Sequence, residues 1–159
     1  MLDRFDHQLL ALLQEDAAQT TERLAEQVAL SPSAIQRRLR RLREQGVIVR
    51  QVAVLDARKI DRCTSFLVSL RVDSEHPEPM ARLRGWLADE PRVQQAFYVT
   101  GEADFVLVVT APDTEAYDAL MSRLLRDNPV VRRFTTQVAL GVLKRGLSVP
   151  LPEPDDGAP

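Results

Sequence analysis

Leu30-Ser31-Pro32-Ser33-Ala34-Ile35-Gln36-Arg37-Arg38-Leu39-Arg40-Arg41-Leu42-Arg43-Glu44-Gln45-Gly46 is the stretch on which the reading of this 159-residue chain turns. Ser31-Pro32 is a helix start. A serine hydroxyl caps free backbone amides, and a proline loses nothing at the first helical position, where its missing N–H would have no partner. Ile35, Leu39 and Leu42 then recur at helical spacing and define one apolar face. Gly46 supplies the stop. The pattern predicts a helix from Pro32 to about Gln45.

Working outward, residues 3–16 read as a helix through Phe5, Leu9, Leu12 and Leu13, with Asp3 as its cap. Thr20 caps a short second helix carrying Leu24, Ala25 and Val28, which ends near Ala29-Leu30. Three short helices with a tight second-to-third connection make a helix-turn-helix. The β-branched run from Val47 to Val54 is expected to form a two-stranded wing or a linking strand. Asp56 to Arg62 reads as a connector with room for one helical turn.

The charge pattern gives the third helix a partner class. The chain as a whole carries −2. Between Ser31 and Arg50, however, six arginines face one acid, Glu44, for a local balance of +5. A solvated helix face normally mixes signs to gain internal pairs. Here most of the repulsion stays unrelieved unless an anion binds, and a local basic patch on such a helix fits double-stranded DNA. With Ile35, Leu39 and Leu42 turned inward, Ser33, Gln36 and Arg37 are the candidates for base edges, because the N-terminal part of such a helix enters the major groove. Glutamine can pair with adenine and arginine with guanine. Arg38, Arg40, Arg41 and Arg50 are expected at phosphates, as are the backbone amides from Ser31 to Ser33 at the helix N-terminus.

The second half has a different rhythm. Residues 65–72 alternate as a strand, with Phe66, Val68, Leu70 and Val72 opposite Ser65, Ser69 and Arg71. A helix follows over 79–89 through Met80, Leu83, Trp86 and Leu87. Strands are expected over 92–100 and 103–110, joined at Gly101-Glu102. Asp113 caps a helix with Tyr117, Leu120, Met121, Leu124 and Leu125. A last strand over 131–140 places Phe134, Thr136, Val138 and Leu140 on one face. The order βαββαβ is a ferredoxin-like α+β arrangement. It leaves one sheet face open, and a domain of about 75 residues buries little alone, so that face is expected against a second subunit. The domains are therefore 1–50 (helix-turn-helix), 51–63 (linker), 64–149 (the βαββαβ domain, expected to pair subunits) and 150–159 (a disordered tail rich in proline and acid).

Several classes are set aside. No apolar run approaches the roughly 18 residues of a membrane span. The first residues are acidic where a secretory leader is basic, so a cytoplasmic protein is expected. Cys63 is the only cysteine and makes neither a disulfide nor a thiolate cage; it is expected as a small, partly buried side chain. His7 and His76 lie far apart, are expected at the surface, and form no metal-ligand spacing, so neither a metal nor a bound cofactor is expected.

The quoted residues also carry a resemblance. Leu2-Asp3-Arg4-Phe5-Asp6, Leu30-Ser31-Pro32-Ser33, Arg37-Arg38-Leu39-Arg40-Arg41-Leu42 and Gly46-Val47-Ile48 resemble the DNA-binding half of the Lrp/AsnC regulators. Val99-Thr100-Gly101-Glu102-Ala103-Asp104-Phe105 resembles the turn between the second and third strands of that family's amino-acid-binding domain. The likeness spans about residues 2–147. It implies a winged helix-turn-helix, a βαββαβ sensor domain, homodimers often assembled into octamers, and an amino-acid effector beside this turn. On that basis Thr100, Gly101, Glu102, Ala103 and Asp104 are effector-site candidates, completed by Thr135, Thr136 and Gln137 of a neighbouring subunit. From the residues alone, the turn amides at Gly101 can hold a carboxylate and Asp104 can accept a ligand ammonium, but a hairpin glycine and an intersubunit ion pair are the favoured readings there. Ala103 stands where family members often carry something larger, and Gln137 where some relatives carry an aromatic.

Two other readings share part of this pattern. An architectural DNA-compacting protein would show the same basic helix and no effector. An enzyme on the same scaffold would want a histidine or charged pair in the second domain. Its only histidine is His76, flanked by proline in a loop, and the expectation is that the chain is not an enzyme.

Overall fold

A computed structural model describes residues 2–60, 63–73 and 76–152. The chain forms two compact units. One takes in the residues up to Val54 together with the segment from Lys144 on; the other runs from Leu55 to Leu143.

The first unit has three helices: α1 (Arg4–Glu15), α2 (Thr21–Val28) and α3 (Pro32–Glu44). Each start is capped as the sequence predicts. Thr20 accepts from the Arg23 amide, and Ser31 accepts from the Ala34 amide with Pro32 in the first turn. Asp3 and Asp6 cap one another's backbone, the Asp6 amide donating to Asp3 at 2.9 Å and the Asp3 amide to Asp6 at 3.1 Å. Leu9, Leu10, Leu24, Val28, Ile35, Leu39 and Leu42 form the core. α2 hands over to α3 through Ala29, in a left-handed conformation at φ 52°. Gly46 takes φ 70° after α3, where glycine avoids the penalty of a Cβ.

Two expectations fail here. Val47 to Val54 forms no strand, and among the described residues no segment pairs with it; Val49 and Val54 are left exposed. The expected tail is also partly ordered. Residues 144–152, divided in the sequence reading between the sensor domain and the tail, lie on the helical unit. Gln14 clasps Val149, donating to its carbonyl at 3.1 Å and accepting from its amide at 2.7 Å. His7 Nδ1 lies 3.0 Å from the Pro152 carbonyl, and Leu151 packs on the helical core. A leucine with apolar surface to cover outweighs the disorder-prone composition around it. Residues 153–159 of the expected tail, and 61–62 of the expected connector, lie outside the described residues.

The second unit begins with a single helical turn, α4 (Ala57–Ile60). It continues with β1 (Thr64–Val72), α5 (Pro77–Asp89), β2 (Val93–Tyr98), β3 (Phe105–Ala111), α6 (Thr114–Asp127) and β4 (Val131–Val138). The sheet is antiparallel in the order β2-β3-β1-β4. Phe66, Val68 and Leu70 of β1 and Phe105, Leu107, Val109 and Ala111 of β3 bury one face beneath Met80, Leu83 and Leu87 of α5 and Tyr117, Leu120, Met121 and Leu124 of α6. The Phe66 and Tyr117 rings stack at 4.1 Å. Trp86 is half-buried at the margin, donating to Asp127 at 3.2 Å. The other face carries Leu67, Ser69, Val106, Phe97 and Thr135; of its apolar members Leu67 and Phe97 are exposed and Val106 is half-buried. Cys63 is exposed rather than partly buried, since it precedes the strand.

Candidate functional site

α3 presents two different arginine populations. Ile35, Leu39 and Leu42 face the core, and Ser31, Ser33, Gln36, Arg37 and Arg40 are exposed on the outer side, as is Arg50 beyond the helix. Arg37, Arg40 and Arg50 have no acidic partner among the described residues. Arg38 and Arg41 are placed differently. Asp6 is fully buried, and it receives Arg38 at 2.9 Å and Arg41 at 2.5 Å. Arg38 also reaches Asp3 at 2.6 Å, and its guanidinium lies over the Phe5 ring at 5.5 Å. Burial would raise the Asp3 carboxyl, but the hydrogen bonds from Arg38 and the Asp6 amide, with the Arg38 charge, outweigh it and hold Asp3 below the ordinary aspartate range.

The expectation that repulsion on this helix stays unrelieved is thereby corrected. Two of its arginines are answered by acids of α1, some thirty-five residues away. Arg38 and Arg41, both expected at phosphates, are tied to α1 through these ion pairs. Asp3 was legible as a helix cap; its second task, and that of Asp6, was not. Arg43, absent from the sequence-based candidates, is exposed and within 3.4 Å of Gln51.

In the second unit, the β2–β3 turn lies beside the ends of β1 and β4. Gly101 adopts φ 122°, a conformation that disfavours any side chain, though a Cβ would meet open space. Asp104 anchors the turn. Its carboxylate accepts from the Val72 amide at 2.8 Å, its amide donates to the Leu70 carbonyl at 2.9 Å, and its carbonyl accepts from the Val99 amide at 2.9 Å. Beside it lies a polar recess of about 460 Å³, lined by Arg71, Asp73, Gly101, Glu102, Asp104, Arg132 and Arg133 among others. Of the expected effector residues, Gly101, Glu102 and Asp104 line this recess; Thr100, Ala103, Thr135, Thr136 and Gln137 do not. Thr136 faces the opposite way, its hydroxyl bonded to Tyr117 of α6. Thr135 and Gln137 share the open face with Ser69 and Leu67. Arg71, Arg132 and Arg133 are lining residues that the sequence reading did not name. Among the described residues no group of metal-ligating side chains converges, and no helix is long and apolar enough to cross a membrane.

A capped helix with an arginine-bearing outer face, followed by a four-stranded domain with a polar recess at one turn, is an arrangement suited to a DNA-binding protein that carries a ligand-binding domain. Residues 2–43 match the AsnC-type helix-turn-helix domain and residues 65–149 match the Lrp/AsnC ligand-binding domain. The chain belongs to the Lrp/AsnC family of transcriptional regulators. It is 36% identical over 150 residues to an uncharacterised HTH-type transcriptional regulator of Sinorhizobium fredii, covering 94% of this chain and 89% of that protein. It is similar in structure to an AsnC-family regulator from Agrobacterium tumefaciens (TM-score 0.85, 32% identity, 94% and 97% of the two chains). A regulator of Neisseria meningitidis, solved as a complex with L-methionine, gives a TM-score of 0.84 at 26% identity, covering 94% and 97%.

Proposed function

We propose that this regulator reads a specific double-stranded DNA sequence with the exposed flank of α3 and that a small metabolite, an amino acid, bound beside the β2–β3 turn sets its DNA-bound state. The observation that carries the DNA half is the unpaired outer flank of α3. Ser33, Gln36 and Arg37 take the base edges, and Arg40, Arg50 and the amides at Ser31 take phosphates. Arg38 and Arg41 act indirectly, by fixing α3 on α1. A homodimer, built on the open sheet face with its exposed Leu67 and Phe97, sets two α3 helices about one DNA turn apart, or a multiple of it, on a pseudo-palindromic site. Octamers would extend the same assembly. The relative captured with L-methionine supports an amino-acid effector here. Such an effector acts only through different affinities for two assemblies or two helix spacings. The protein works as a regulator and performs no catalytic step.

The test is fluorescence anisotropy on a selected site and on scrambled duplexes. Replacing Arg37 by alanine is expected to cost about 1–3 kcal/mol on the selected site and to level the preference. Replacing Arg40 should weaken all duplexes alike and reduce the salt slope by about 1 per subunit. Unchanged discrimination in the Arg37 variant would refute its place at a base. Equal affinity of the unaltered protein for every duplex would favour the architectural reading.

A further inference from the structure

The recess in the second unit holds a charge pattern that names its ligand. The β1–β4 register puts Arg71 directly opposite Arg133. Directly opposite residues of an antiparallel pair share a face and lie close, so two like charges there are destabilising. The neighbouring pairs on that face, Ser69 with Thr135 and Leu67 with Gln137, carry no charge. Arg71 commits its Nε to the Glu102 carbonyl, leaving its two terminal nitrogens. Arg133 is exposed and has no partner among the described residues. Most other charges of the recess are engaged. Arg132 pairs with Asp73 at 3.2 Å, and Asp104 accepts from the Val72 amide. What remains around the Gly101-Glu102 turn is the two guanidiniums of Arg71 and Arg133, with the carboxylates of Glu102 and Asp104 beside them.

We infer that this recess selects an acidic amino acid, whose two carboxylates are held by Arg71 and Arg133 and whose ammonium faces Glu102. The inference rests on the reading of this turn as the effector site and adds the class of effector. The charges are complementary: two carboxylates meet two guanidiniums, and the ammonium meets the acidic side of the turn, Glu102 with Asp104 behind it. A neutral amino acid leaves one guanidinium repelling the other. Guanidinium is suited to the task because its fork meets a carboxylate with two parallel hydrogen bonds. The volume, about 460 Å³, lies within the range of small-molecule sites, and the polar lining suits a charged guest.

The experiment is isothermal titration calorimetry of the full chain with L-glutamate, L-aspartate, L-glutamine, L-asparagine, L-leucine and L-methionine. One of the acids is expected to bind about tenfold or more tightly than its own amide, because the amide forfeits a charge-assisted pair. Arg133→Gln should erase that difference, since it removes one of the two guanidiniums, and the unliganded protein should keep its fold, because within the described residues Arg133 makes no contact. Arg71→Gln, read in parallel, should do the same to the acid preference. Neutral amino acids binding as tightly as the acids, or a preference that survives both variants, would overturn the acidic selectivity and leave amino-acid sensing standing. Binding by none of the six would overturn both. Assembly that falls apart in Arg133→Gln, with no ligand bound by the unaltered protein, would assign the arginines to carboxylates of a second copy and overturn the inference.

Discussion

Removing the carboxylate of Asp6 is expected to cost the helical unit about 2–3 kcal/mol, less than the 3–5 kcal/mol typical of breaking a fully buried ion pair. Asp6 is inaccessible to solvent and accepts from three donors: the Asp3 amide, Arg38 and Arg41. Asp6→Ala strands all three. The discount comes from the partners. The side chains of Arg38 and Arg41 are 21% and 42% exposed, so both can regain some water, and Arg38 keeps Asp3. Against that, Arg41 Nε is already buried without a hydrogen bond, so Arg41 has little else to hold. For a unit of this size about 1 kcal/mol moves the midpoint by roughly 4–8 °C, which puts the expected shift near 10–20 °C. The assay is thermal and urea unfolding of the full chain by circular dichroism. Asp6→Asn keeps an acceptor for the backbone and should fall between the variant and the parent. The loss should persist at about 0.5 M salt, because a buried pair is poorly screened. A destabilisation below about 0.5 kcal/mol, or one that vanishes in salt, would refute the claim that Asp6 organises the arginines of α3.

Two further outcomes are expected. Asp3 sits below the ordinary aspartate range when folded, so its contribution is present in full above the unfolded value near 3.9 and is lost as pH falls through the lower folded value. An acid titration of the helical unit should therefore be steeper in the parent than in Asp3→Asn below about pH 4, with equal slopes from pH 6 to 8. Truncation after Leu147 removes the Gln14–Val149 clasp, the His7–Pro152 contact and Leu151. It should destabilise the helical unit by about 1–3 kcal/mol, and unaltered unfolding would show that the segment contributes no stability there.

Most of the fold was legible because it is written in local periods. Ser31-Pro32 and the Ile35, Leu39, Leu42 spacing located α3 to within a residue, alternation located β1 and β4, and the Gly101-Glu102 turn located β2 and β3 to within about two residues. What escaped is what the third dimension supplies. Nothing in the run of arginines says that Arg38 and Arg41 meet Asp6. Arg71 was read onto a strand face, but its opposition to Arg133 depends on a register that neither strand states alone. Thr136 shows the same limit: consecutive strand residues face opposite ways, and within this chain its hydroxyl bonds to Tyr117 while Thr135 and Gln137 stand on the open face. Val47 to Val54 misled for a different reason: β-branched residues favour a strand only when another strand is there to pair.

The division among the arginines of α3 follows from helix geometry and one acid. Successive residues point roughly 100° apart around a helix, so Arg38 lies nearest the core face, Arg41 next to it, and Arg37 and Arg40 farther round on the outer side. Left alone, this crowding of like charge would oppose the helix it decorates. Asp6 takes up the two inner arginines and leaves the outer two without partners. The same contact that relieves the repulsion also locks α1 against α3, which limits how far the outer flank can tilt against a groove. Arg38 and Arg41 are then poor candidates for lysine replacement despite equal charge. A guanidinium reaches Asp6 through a planar fork and, at Arg38, spans both Asp3 and Asp6 while lying over Phe5, and a single ammonium cannot reproduce that set of contacts.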